Sequence, residues 1–174
     1  YWAPGRVIEH DGKFYLYVTF VKPGDKMGTY VLVADRPEGP FRFTEGKGLF
    51  VSGEEVDSPA IIDDIDGEPF IDDDGTGYIF WRRRNAARLS ADRLHLDGEP
   101  VTLKTARQGY SEGPVMFKRK GIYYYIYTLS GHQNYANAYM MSRESPLTGF
   151  VKPEGNDIFL FSSPENQVWG PGHG

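Results

Sequence analysis

Cysteine is absent from the 174 residues, which excludes disulfides, thiolate catalysis and cysteine-ligated zinc. No apolar run is long enough for a transmembrane helix, which needs about 18 residues, and no signal peptide stands at the start. A basic excess is missing too. Lys and Arg number 19 against 24 Asp and Glu, a net charge of −5, so the chain lacks the electrostatic footprint of a nucleic-acid binder. No nucleic-acid partner and no membrane partner are expected. None of these absences fixes a compartment: secreted, periplasmic and cytoplasmic placements in a bacterium all fit. The chain opens on Tyr1 rather than Met and closes on "WGPGHG", and it reads as an internal segment of a longer protein.

Alanine-rich stretches with helical periodicity are also missing. In their place stand short aromatic and β-branched runs cut by Gly, Pro and Asp, the pattern of an all-β fold. Three stretches resemble one another: "RVIEHDGKFYLYVTF" (6–20), "PFIDDDGTGYIFW" (69–81) and "PVMFKRKGIYYYIYT" (114–128). Each is an apolar run, a polar turn with Gly, then an alternating aromatic run, which predicts a hairpin. The turn glycines Gly12, Gly75 and Gly121 are 63 and 46 residues apart. Third-strand patterns follow at 30–41, 86–100 and 138–150. Units of this size with four strands each predict a β-propeller, with a β-sandwich of the same hairpins as the alternative. The blade-like units run approximately over 1–55, 56–108 and 109–168, and 169–174 would start the next blade.

The repeat places the acids. Nine positions before the three turn glycines lie Ala3, Asp66 and Glu112. In a propeller the first strand of each blade lines the central channel, so Asp66 and Glu112 are expected near the entrances of two inner strands, facing one cavity. Asp72, Asp73 and Asp74 fall in the hairpin turn, where short acids cap backbone amides. Two carboxylates on one cavity are the minimum set for glycoside hydrolysis, in which one acid is protonated and another ionised. Two acids merely bound to channel amides would look the same at this stage.

"YWAP" before "DGKFYLYVT", "ID" before "FIDDDGTGYIFW", "EGPVMFKRKGIYYYIYT" and the closing "GPGHG" together resemble glycoside hydrolase family 43. The resemblance runs in order through the whole chain. It implies a five-bladed β-propeller, of which about three blades and the start of a fourth would be present here. It further implies an inverting glycosidase releasing pentose units, arabinofuranose or xylose, from plant cell-wall polysaccharide or oligosaccharide. On this resemblance Glu112 is the general acid and Asp66 the residue that raises the acid's pKa and orients it. Gly67 stands where the family often has Pro. Trp2 would line the pocket for the terminal sugar. His173 would lie at the channel centre beside a metal ion, often calcium, reached directly or through water; no organic cofactor is implied. The general base would sit on the family's first blade, upstream of Tyr1, so residues 1–174 alone are expected to hydrolyse nothing. Inversion would require base and acid roughly 6.5–9.5 Å apart.

Other residues read as structural. Asp57, in "VDSPA", lies at twice the channel offset and reads as a loop residue, and His10 reads as a surface residue. His95 reads as decorating a strand face, and His132 as part of a solvated loop. The arginines of "WRRRNAAR" (81–88) read as strand residues, some neutralising the neighbouring turn acids and one available to a substrate hydroxyl. Tyr123, Tyr124 and Tyr125 should alternate between the two faces of a strand. Two rival functions stay open: a non-catalytic carbohydrate-binding propeller, and a structural scaffold in which Glu112 does no chemistry.

Overall fold

A computed structural model of the chain describes residues 2–22, 26–45, 58–129 and 135–173. Among them, twelve strands form three antiparallel four-stranded sheets, each a meander in which strands adjacent in sequence are adjacent in space. The first sheet holds β1 (Trp2–His10), β2 (Lys13–Lys22), β3 (Lys26–Ala34) and β4 (Arg42–Phe43). The second holds β5 (Glu68–Ile71), β6 (Gly77–Trp81), β7 (Asn85–Leu89) and β8 (Leu96–Thr102). The third holds β9 (Val115–Arg119), β10 (Ile122–Leu129), β11 (Ala136–Ser142) and β12 (Ile158–Phe161). The first strands neighbour one another across sheets, β1 beside β5 and β5 beside β9. Three meanders with their first strands together are three blades of a β-propeller, and the sandwich alternative falls.

The turns show why the hairpins form where they do. His10 pairs with Lys13 across Asp11 and Gly12, whose φ angles are 49° and 72°. Arg119 pairs with Ile122 across Lys120 and Gly121, at 52° and 73°. Two consecutive positive φ values define the turn whose twist matches paired strands, and they call for Gly at the second position. The middle hairpin is looser, with Asp72–Thr76 between the paired Ile71 and Gly77. There the acids cap amides: Asp72 Oδ1 accepts from Asp73 N at 2.8 Å and Asp74 Oδ1 from Thr76 N at 2.8 Å.

The core lies between blades. Tyr15, Tyr17 and Val31 of the first blade pack on Ile79, Trp81, Ala87 and Leu89 of the second. Phe70, Phe80 and Ala86 of the second pack on Met116, Tyr123, Tyr125 and Tyr127 of the third. Tyr124 takes the opposite face of β10 and stacks on Phe117, so the tyrosine run alternates as strand geometry requires.

Two local expectations are corrected. The three arginines are not on a strand. They form a single 3₁₀ turn, Arg82–Arg84, between β6 and β7, with Arg83 and Arg84 at φ 64°. They also leave the turn acids to another cation, Lys118. His95 lies in the turn just ahead of β8 rather than on a strand face. Its Nδ1 is 3.3 Å from Asp92 Oδ2 and its N–H donates to Ser90 Oγ, because Ser90 and Asp92 organise a tight turn there.

Asp72 does more than cap its turn. One oxygen accepts from Lys118 Nζ at 2.7 Å and the other from Tyr123 OH at 2.6 Å, both in the next blade. Its side chain is only 8% exposed. Burial opposes its charge, but the bonds from Lys118 and Tyr123 prevail and hold the carboxyl below its usual range. Removing it strands the Tyr123 hydroxyl and leaves Lys118 with only the exposed Asp73, so Asp72→Ala is expected to cost about 1–3 kcal/mol. Because the folded pKa is depressed, this stabilisation is present above the unfolded value, near 3.9, and is lost as pH falls through the folded one. Urea midpoints of the two proteins should therefore differ at pH 6 and converge in strong acid; a difference independent of pH would contradict the assignment.

Candidate active site

The run from Asp64 to Asp74 contains six carboxylates, and the structure gives five of them structural partners. Asp64 Oδ1 lies 2.6 Å from Arg82 Nε. Glu68 binds Arg6 twice, from the backbone N–H at 3.0 Å and from Nε at 2.6 Å. Asp72 and Asp73 share Lys118, and Asp74 caps its turn. Asp66 is the exception. It is 4% exposed, and while Oδ2 accepts from Gly113 N at 3.0 Å, Oδ1 is buried without a hydrogen-bond partner among the described residues. Buried polar atoms are nearly always paired, so an orphan invites a functional explanation.

Asp66 is held firmly. Its φ is 64°, a left-handed conformation that Asp tolerates better than most residues. Its N–H donates to Thr19 Oγ1 at 3.0 Å. Gly67, next in the chain, donates to Thr29 Oγ1 at 3.3 Å, and a Cβ there would sit 2.5 Å from Thr29 Cγ2. Proline lacks the N–H and disfavours a left-handed residue before it. Gly67 is therefore the residue that this packing against Thr29 requires.

Glu112 lies three residues before β9, half-buried, beside the amide that binds Asp66. Its backbone carbonyl accepts from Thr128 N at 3.1 Å. Its side chain meets two phenols. Tyr110 OH donates to Oε2 at 2.9 Å, and Tyr135 is close enough that a hydrogen bond to the Glu112 carboxylate raises its phenol pKa. Burial pushes Asp66 up from its usual range and the Glu112 charge pushes the same way, whereas the Gly113 amide, His173 and Arg82 pull it down. Asp66 and Glu112 thus share one electrostatic environment.

His173 arrives from the far end of the chain. Its N–H donates to Thr128 Oγ1 at 2.8 Å, and Asn137 Nδ2 donates to Pro171 O at 2.9 Å, fastening residues 171–173 to β10 and β11. A Cβ on Gly113 would lie 2.5 Å from His173 Cα, and one on Gly172 would lie 2.5 Å from the Tyr135 ring. Gly113 lets the "EGP" and "GPGHG" segments touch, and Gly172 lets the second lie against Tyr135. Yet no three His, Asp or Glu side chains among the described residues are grouped so as to hold a metal ion. His173 stands beside the Asp66 carboxylate.

The sequence reading singled out Asp66, Glu112 and His173, and these three converge. The Trp2 side chain, Asp57 and His132 lie outside the described residues. Tyr110, Tyr135 and Thr128 were missed, and Arg82 was read only within a cluster from which one arginine could reach a substrate hydroxyl. Only Tyr110 had a visible signal, an aromatic hydroxyl two residues before Glu112.

Comparison with known proteins gives the family. The sequence profile of Glycosyl hydrolases family 43 matches residues 1–174. Among curated relatives, Beta-D-galactofuranosidase xynD of Aspergillus niger is 31% identical over 188 aligned residues, covering 98% of this chain and 53% of its own length. Arabinoxylan arabinofuranohydrolase of Bacillus subtilis is 30% identical, over 74% of this chain and 28% of its own length. A solved structure titled "Glycoside hydrolase" superposes with a TM-score of 0.86 at 42% identity, covering all of this chain and 39% of its own. The chain thus spans about half the length, or less, of these three proteins.

Proposed function

Because the chain belongs to Glycosyl hydrolases family 43, whose fold is the five-bladed propeller, we propose that the protein containing it is an inverting glycosidase with Glu112 as general acid. Its substrate is plant cell-wall polysaccharide or oligosaccharide, from which it releases arabinofuranosyl or xylosyl units. The observation that carries this reading is the bond from Gly113 N to Asp66 Oδ2, which ties the acid-bearing segments of two blades into one site.

In this reading Glu112 passes its proton to the glycosidic oxygen as the bond to the anomeric carbon breaks. Asp66 stays ionised and fixes the Gly113 amide, and so the backbone from which Glu112 projects. A water attacks the opposite face of the sugar, delivered by a carboxylate that we place outside residues 1–174, and separate acid and base produce inversion. A positioned acid of this kind contributes about 10²–10⁴ in rate. No step is assigned to a metal ion.

The names of the relatives support a furanose or pentose substrate, and the galactofuranosidase adds a hexofuranose to the set worth testing. The full-length protein should be assayed on aryl α-L-arabinofuranoside, β-D-xylopyranoside and β-D-galactofuranoside, with the product anomer followed by proton NMR. Release of the inverted anomer from one of the pentosides is expected. Turnover of the galactofuranoside alone would move the specificity to hexofuranose. A retained anomer would overturn the mechanism, and sugar binding without turnover would establish the carbohydrate-binding alternative.

A further inference from the structure

The arginine turn between β6 and β7 faces the segment that enters the third blade, and all three of its residues grip it. The Arg82 guanidinium lies beside the Tyr110 hydroxyl, Arg83 N donates to Ser111 O at 2.8 Å, and Arg84 Nη1 donates to Gly109 O at 2.8 Å. The start of the same segment is pinned by Arg107, which binds the fully buried Asp157 through two bonds of 2.8 and 2.7 Å. Nothing in the proposed chemistry requires so many ties on residues 107–111. What they hold is Tyr110, which is 38% exposed while its hydroxyl sits between the Arg82 guanidinium and the Glu112 carboxylate.

The polarity of that chain is dictated by chemistry. Tyr110 OH donates to Glu112 Oε2, and Arg82, which has donors only, can face nothing but the phenol oxygen. The phenol has one proton, which is thereby directed to its remaining partner, Glu112 Oε2. Arg82 is itself held by Asp64, two residues before Asp66. Segments 64–66 and 110–113 are therefore tied twice, once through Asp66 and Gly113 and once through Asp64, Arg82, Tyr110 and Glu112.

A general acid needs one oxygen to carry the proton toward the leaving group. We propose that Tyr110, held by Arg82, is the positioning residue that assigns the two oxygens of Glu112: Oε2 accepts from the phenol, and Oε1 carries the proton delivered to the substrate. This rests on Glu112 being the general acid. The groups facing Glu112 are Tyr110, Tyr135 and Asp66, with Arg82 behind Tyr110 and His173 beyond Gly113.

The test is Tyr110→Phe in the full-length protein. For substrates with poor leaving groups kcat/KM should fall about tenfold to a hundredfold, the rate equivalent of one hydrogen bond to a charged group. The loss should shrink for activated aryl leaving groups, which need less protonation. A hydrogen bond donated to a carboxylate favours its ionised form. Losing it should move the basic limb of the pH profile, where the acid deprotonates, to higher pH. Arg82→Met should move the limb the same way, and the double variant should be little worse than either single one, because both act through one bond. Tyr110→Phe losing activity equally for every leaving group, with the limb unmoved, would reduce Tyr110 to a packing residue and overturn the proposal. Glu112→Gln as a control separates the two levels. If it is impaired and Tyr110→Phe is not, only the Tyr110 role falls; if Glu112→Gln is unimpaired, both fall.

Discussion

Replacing Gly113 with Ala is expected to lower the unfolding free energy by about 2–5 kcal/mol and kcat/KM by about a hundredfold or more. Two independent effects add. Gly113 has φ 49°, so any L side chain strains the backbone. The new methyl would also lie 2.5 Å from His173 Cα, 2.8 Å from its Nδ1 and 2.9 Å from its Cγ. The nearest atom is backbone, and the backbone there is fastened by Thr128 and Asn137, so it cannot yield cheaply. Relief comes by lifting residues 171–173 off the third blade or by displacing Gly113. The second route breaks the amide bond to Asp66 and swings Glu112 from its phenols. Gly121→Ala is the matching control. Its φ is 73° but nothing lies within 4 Å of the added carbon, so only the conformational term, about 1–2 kcal/mol, should appear, with activity intact. Equal losses in the two variants by urea unfolding and steady-state kinetics would show that the contact with His173 is unimportant.

The second large effect is chemical. Glu112→Gln keeps the shape of the side chain and its acceptor oxygen for Tyr110 but removes the transferable proton. In the full-length protein kcat should fall about 10²–10⁴-fold on natural glycosides, while thermal stability changes little. The half-exposed side chain has no bond that an amide would break outright: the phenol can donate to the amide oxygen as it does to Oε2. Activity lost together with the fold would point to a structural role, and activity retained would remove Glu112 from the chemistry.

Much of this was legible in the sequence, for a specific reason. Turn glycines have a backbone requirement that cannot drift, so the repeat could be aligned on Gly12, Gly75 and Gly121, and the alignment put Asp66 and Glu112 at the same station of adjacent blades. "EGP" and "GPGHG" were likewise readable, since glycine there answers to close approach. The interactions between blades were not. Asp72 looked like one of three equivalent turn acids, and only the third blade distinguishes it by supplying Lys118 and Tyr123. The three arginines looked like a strand because Trp81 ends one, and the left-handed angles of Arg83 and Arg84 have no signature in those side chains. Gly67 looked like a departure from a family pattern until Thr29, from a different blade, explained it. The partners in these pairs are separated by 38 to 51 residues, and such pairings leave no local trace.

The central claim is that Glu112 delivers a proton to the departing oxygen, and one measurement tests it most directly. Wild-type and Glu112→Gln full-length protein would be compared by kcat/KM across aryl glycosides of the preferred sugar, with leaving-group phenols of pKa from about 4 to about 10. The penalty for losing Glu112 should be small for the most acidic phenol and grow steadily with leaving-group pKa, because only poor leaving groups need the proton. A penalty of the same size for every leaving group would contradict the claim.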